Sequence, residues 1–282
     1  RWLPEPKSLD SRLPDLPGAG LLALGLAALT LAIVEGNDWG WGSPATLACF
    51  AVAALLLLAV VARSRSHPRP IVEPELFAHR SFVVGNVGTI LFASAFFSLI
   101  LGNVLFLTQI WGYTVLQAGA ATLPGPAMST VVAGPAGRLA DRFGHRAVIV
   151  PGTILFAIGV WVLGTAGAEP DWLGLWLPGA LLTGIGIGLA FPTLGAAAVR
   201  DVPVDRFATA SAVNAAFRQV GAVLGTAILV AIVGDPESLS AALSASDDGY
   251  LFAMIAALAS GAVALALSAG REAAVVSSAP AS

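Results

Sequence analysis

The sequence predicts an all-α, polytopic helical membrane protein with about eight transmembrane helices, and three observations carry that expectation. Hydrophobic residues make up 57% of the chain and charged residues only 11%, where a soluble domain carries about 25% charged residues. Eight long apolar stretches recur: Gly18 to Val34, Ala45 to Ala62, Ser81 to Leu107, Ala118 to Pro135, Ala147 to Ala166, Trp172 to Val199, Phe207 to Val233 and Tyr250 to Ala269. Each is close to or above the ~20 residues a helix needs to cross hydrocarbon, where backbone polar groups find no water and must bond within the segment. The runs are continuous and do not alternate with polar residues, which excludes a transmembrane β-barrel.

The third observation is the sorting of charge. Arg1, Lys7 and Arg12 precede the first stretch, Arg63, Arg65, Arg69 and Arg80 follow the second, and Arg138, Arg142 and Arg146 follow the fourth. Arg200 and Arg206 follow the sixth and Arg271 the eighth, while the other four loops hold Glu35, Asp38, Glu169, Asp171, Asp235, Glu237, Asp247 and Asp248 but no Lys or Arg. Basic residues collect on the cytoplasmic side of a spanning protein, so both termini are expected in the cytoplasm. Thirteen Arg against one Lys, with abundant Ala and Gly, points to a GC-rich bacterial genome and hence to a bacterial inner membrane. The net charge of −3 is divided between two sides and offers no basic field for nucleic acid.

Residues 1–17 are expected as a cytoplasmic segment: four prolines and mixed charge fit no signal peptide, and a start on Arg1 fits a sequence cut from a longer one. Residues 18–62 form a two-span hairpin whose loop, Glu35 to Pro44, is punctuated by Gly and Pro, with Trp39 and Trp41 suited to the headgroup zone. Cys49, the single cysteine, lies within the second span and can form no disulfide inside the chain. Residues 63–80 read as a polar, proline-bearing linker, and within it Pro74 to Arg80 as a short helix on the inner membrane surface. Residues 81–269 are a six-span unit with short connections, the longest outer loop being Gly234 to Gly249, and residues 270–282 are a cytoplasmic tail. Pro124, Pro126, Pro135, Pro151, Pro178 and Pro192, with the run Gly184 to Gly188, weaken backbone bonds or let helices approach closely. Tight packing and moving, hinged helices both fit that pattern.

One segment is more specific. Gly137-Arg-Leu-Ala-Asp-Arg-Phe-Gly-His-Arg146 combines glycines for a tight turn, an Asp suited to the N-terminal end of the next helix, and arginines among headgroups. It resembles the Gly-x-Leu-Ala-Asp-Arg-x-Gly-Arg-Arg loop signature of the major facilitator superfamily. Gly137, Leu139, Asp141, Arg142, Gly144 and Arg146 match, and His145 departs where a second basic residue is usual. Pro74 to Phe82, Leu107 to Gly119 and Ala210 to Gly221 are similar to the fourteen-span drug:proton antiporter branch, in which two extra spans lie between six-span halves. The resemblance implies the central pair plus the C-terminal half of a major facilitator fold, with a missing N-terminal six-span half as partner. It also implies a conformational latch in the signature loop, with small-molecule substrate and protons as what the whole protein would handle.

The seventh span holds the one charge far from an interface. Ser211, Asn214, Arg218, Gly221 and Gly225 recur at helical spacing opposite Val213, Phe217, Val220 and Leu224. An Arg at the bilayer centre costs about 2.5–3.5 kcal/mol on insertion scales, so Arg218 is expected to face a cavity or a partner, with snorkelling or a carbonyl bond as the structural alternative. Ser211 and Asn214 share its stripe, and Asn86 and Asn103 in the third span are weaker cavity candidates that also fit interhelical hydrogen bonds. No carboxylate is expected deep in any span, so a proton-carrying group would belong to the missing half. His67, His79 and His145 have no metal-ligand spacing, no hydrolase or phosphate-loop motif is present, and nothing implies a cofactor or an enzyme. The expectation is a partial secondary transporter exporting small amphipathic compounds by alternating access, the alternative being a non-transporting membrane domain that pairs with another protein.

Overall fold

The computed structural model describes residues 15–66 and 74–267, and among them every regular element is helical. The expected tails at 1–14 and 268–282 and the middle of the linker at 67–73, with Arg1, Lys7, Arg12, His67, Arg69 and Arg271, lie outside the described residues.

Helices α1 (Leu16–Val34) and α3 (Pro44–Ser66) form the hairpin, joined through the single turn α2 (Gly36–Trp39). Its basic end is fastened by Asp15, which is 4% exposed. This carboxylate caps α1 by accepting from the Gly18 N–H at 3.0 Å and receives Arg63 Nε on both oxygens, at 2.7 and 3.0 Å. The acid is thereby doubly served by a helix N-terminus and a fixed guanidinium. A short 3₁₀ turn, Pro74–Ala78, follows where the sequence predicts a helix on the membrane surface. It does more than lie there: Leu76 is fully buried among Phe82, Val199, Val202, Ala210 and Val213.

The six-span unit comprises α4 (Arg80–Leu105), α5 (Val115–Thr122), α6 (Pro124–Phe143), α7 (Arg146–Gly164), α8 (Leu177–Val199), α9 (Phe207–Val233) and α10 (Leu239–Ala264). α4 continues through a π turn at Phe106–Ile110, and α8 is entered through another at Trp172–Trp176. Among the described residues seven helices are long and apolar enough to cross a bilayer. The expected fourth span differs. Pro124 lacks the N–H that would continue a helix, so the span divides into α5 and α6, and α6 runs on to Phe143 with Arg138, Asp141 and Arg142 inside it. The eighth span begins earlier than expected, at Leu239 in place of Tyr250, because the Ser238 hydroxyl caps it by accepting from the Ala241 N–H at 3.2 Å. Asp247 and Asp248, expected in a loop, are therefore helical. Twenty-six residues make a helix of about 39 Å, and both carboxylates stand about a third of the way along it from Leu239.

The segment from Leu107 to Gly119 is intelligible residue by residue. Gly112 takes a positive φ of 66° after the π turn, and Thr114 and Gln117 then form a reciprocal capping box that starts α5, at 3.3 and 2.9 Å.

Packing within the unit has an internal symmetry. α4 and α8 meet at the centre, α9 lies on α4 as α6 lies on α8, α10 lies on α4 as α7 lies on α8, and α7 and α10 touch. Exchanging α4 with α8, α6 with α9 and α7 with α10 leaves the pattern unchanged, and the members of each exchanged pair run in opposite directions. This is the contact topology of two inverted three-helix units. The two outer pairs use the same device. A Cβ on Gly221 or Gly225 would stand 2.5 or 2.2 Å from the carbonyls of Ile90 and Ser94, and one on Gly184 or Gly188 2.4 or 2.6 Å from those of Gly125 and Ser129. Glycines four residues apart thus bring backbones into contact, as small residues do in membrane helices. Ser94 Oγ adds an interhelical bond to the Gly221 carbonyl at 2.9 Å. The end opposite the basic residues is filled by an aromatic cluster in which Phe106 stacks on Trp176 with centroids 5.6 Å apart.

Candidate functional site

The signature segment is less of a loop than its composition predicts. Gly137, Leu139, Asp141 and Arg142 belong to the last two turns of α6, and the turn itself is only Gly144 and His145. Gly144 supplies the positive φ, 89°, that lets the chain reverse, while Gly137 is helical with open space where a Cβ would stand. Asp141, Arg142 and Arg146 are exposed, and the Arg142 guanidinium lies 5.2 Å from the centroid of the Phe143 ring. Asp141 acts electrostatically on His145, the residue just before α7.

His145 sits in a network that joins this turn to the one between α8 and α9. Burial and the charge of Arg200 hold its pKa below the ordinary 6.5, against Asp141 and Asp201, which favour the protonated form. Asp201 receives Arg200 Nε at 3.0 Å and a second guanidinium N–H at 3.4 Å. Burial alone would raise its carboxyl, but Arg200, the Ser81 hydroxyl and the charge of His79 outweigh that and hold it below its ordinary range. A further tie, Arg206 to Glu75, fastens the start of α9 to the 3₁₀ turn before α4. The basic end therefore carries interacting charges from the ends of α4, α6, α7, α8 and α9. Arg200 and Asp201 were visible in the sequence as an adjacent pair, but nothing there placed them beside the signature turn.

The stripe on α9 is divided by the structure. Asn214 is 9% exposed and bonds into α4. Its Nδ2 donates to Asn86 Oδ1 at 2.9 Å and to Thr89 Oγ1 at 3.2 Å. Asn86 in turn donates to the Phe82 carbonyl at 2.8 Å and Thr89 to that of Gly85 at 2.8 Å, so the three side chains form one buried polar knot between α4 and α9. Gly221 and Gly225 are buried against α4 as well, and Ser211 is half-buried. Arg218 is not drawn into this contact. It is exposed together with Gln219, eleven residues beyond Phe207 and fifteen before Val233, about 16 and 22 Å from the two helix ends. Asn103 lies elsewhere, half-buried near the aromatic end, where Tyr250 Oη donates to its Oδ1 at 3.1 Å.

α6 repeats the exposure of α9. It packs on α8 and lightly on α7, leaving Thr130, Val131, Gly134 and Pro135 uncovered, with Val131 70% exposed. Among the described residues the symmetry-related helices α6 and α9 thus each keep a face with no helix on it, and on α9 that face carries a cation at mid-membrane depth.

An inverted pair of three-helix units with symmetry-related open helices defines a class: it is an architecture of secondary transporters. Sequence comparison agrees, since residues 17–226 and 87–280 match the Major Facilitator Superfamily, and the chain belongs to that family. The cephamycin export protein of Amycolatopsis lactamdurans is 31% identical over 86% of this chain and 50% of its own length. The puromycin resistance protein of Streptomyces alboniger is 33% identical over 76% of this chain and 43% of its own. A multidrug resistance protein of Mycobacterium tuberculosis is 29% identical over 84% and 43%. The chain spans about half the length of the curated relatives it matches.

Proposed function

We propose that this chain supplies the accessory hairpin and the C-terminal half of a proton-coupled exporter of small amphipathic compounds in a bacterial inner membrane, with both termini in the cytoplasm. The observation that carries the proposal is Arg218, a guanidinium exposed at mid-membrane depth on an open face of α9. Facing hydrocarbon, such a group costs about 2.5–3.5 kcal/mol even with snorkelling. Opposite a second six-span half it would border a polar pathway and find its counter-charge. The exporting relatives and the half-length match support the same reading. Alternating access would then be a rocking of one half on the other. The charge network around Asp141, His145 and Arg200 would favour one of the two states, and the proton-carrying carboxylate would be contributed by the other half.

Arg218 variants in a full-length protein test the proposal. Arg218→Leu should insert at wild-type abundance and lose export of a fluorescent amphipathic dye, and Arg218→Lys should shift rate or substrate preference, because a point charge cannot reproduce the guanidinium fork. Wild-type efflux by Arg218→Leu would remove this residue from transport.

A further inference from the structure

The hairpin does not pack flush against the six-helix unit. α1 touches α9 along part of its length, and at the end away from the basic residues Asn37 Nδ2 bonds the Ala231 carbonyl at 2.7 Å. Toward the basic end the two bodies part around a cavity of about 510 Å³, bounded by Leu22, Leu57, Val60 and Phe217. A second space of about 580 Å³ follows further along α1, between Ala23 and Val34 and facing Val223 of α9. From Leu22 to Val34 α1 climbs about 18 Å, comparable to half of the ~30 Å hydrocarbon thickness. That is the reach of one acyl chain. Apolar walls with no partner atoms forfeit their dispersion contacts, and within a bilayer the available filler is lipid.

The rim of the first cavity is polar in one sense only. Among the described residues Arg65 and Ser64 border it and no acidic side chain does. Arg65 is exposed, whereas its neighbour Arg63 is held by the buried Asp15. A guanidinium beside a hydroxyl suits a phosphate, which it can bind through two parallel N–H donors. With the basic end in the cytoplasm, as proposed above, the rim meets the leaflet where anionic lipids concentrate. We infer that an anionic phospholipid occupies this cleft, one acyl chain lying against Phe217 and Val60 and the phosphate at Arg65, so that lipid cements the accessory hairpin to the transporter half.

Native mass spectrometry of the full chain, purified in mild detergent and offered phosphatidylglycerol or phosphatidylcholine with the same chains, tests the inference. Phosphatidylglycerol should be retained preferentially. Arg65→Gln should weaken its retention about fivefold, as expected for one basic residue at a lipid headgroup, and leave phosphatidylcholine unchanged, while Arg65→Lys should keep most of the preference. Val61→Trp, which fills the cleft from a half-exposed position, should lower retention of both lipids. Equal retention of the two lipids by the wild type, or an Arg65→Gln variant that keeps the preference, would overturn the assignment, as would an Arg65→Lys variant as impaired as Arg65→Gln.

Discussion

His145 is the residue at which this chain departs from the signature of its family, and its surroundings give the departure a measurable consequence. Burial and Arg200 lower its pKa from 6.5, so as the pH falls the unfolded chain takes up this proton before the folded one does. Its contribution is therefore intact above about 6.5 and is eroded as the pH drops below that value. Asp201, also lowered, contributes above its ordinary 3.8 and loses that contribution only in stronger acid. The melting temperature of the detergent-solubilised chain should accordingly begin to fall near pH 6.5, and His145→Gln should remove that first decline while keeping the one below 3.8. An unchanged first decline in His145→Gln would assign the acid sensitivity to another group. The type of each candidate side chain was legible in the sequence, but its neighbours were not. Asn86 and Asn214 are 128 positions apart, and no periodicity within one helix could pair them. Arg218 and Asn214 share a helical stripe, yet the stripe is wide enough that α4 covers one and leaves the other open.

At the scale of the element, apolar length located seven spans because hydrocarbon thickness fixes it. It failed where local chemistry intervened, at Pro124, which divides the fourth span, and at Ser238, whose cap starts α10 early. The glycines of the sequence looked alike, and only the packing separates them. Gly225→Ala must push against the Ser94 carbonyl, 2.2 Å from the new methyl, and overpacking of this kind costs about 1–3 kcal/mol. Gly134, in α6, has nothing within 4 Å of that position, and alanine there should be neutral or stabilising by up to about 1 kcal/mol through helix propensity. Thermal denaturation of the two variants should therefore move in opposite directions, or leave Gly134→Ala unmoved. A Gly225→Ala protein as stable as wild type would mean that α4 and α9 are further apart than described.

At the scale of the molecule, the family was legible in the sequence and the inverted symmetry only in the packing, whereas the orientation rests on the sorting of charge. In a Cys49→Ala background, cysteines at Glu169 and Glu237 should react with an impermeant thiol reagent added to intact cells, and one at Val204, 91% exposed at the basic end, should not. The reverse pattern would turn the protein over. If the open faces of α6 and α9 cover a second half, as proposed, efflux measures that pairing most directly. Cells producing the 282-residue chain alone should export no amphipathic dye and hold little of the protein, because Arg218 and its neighbours would meet lipid at a cost of several kcal/mol. Producing it together with a separate N-terminal six-span half should raise its abundance and restore part of the efflux. Robust export by the chain alone would contradict the account and point to a self-sufficient pairing of identical copies.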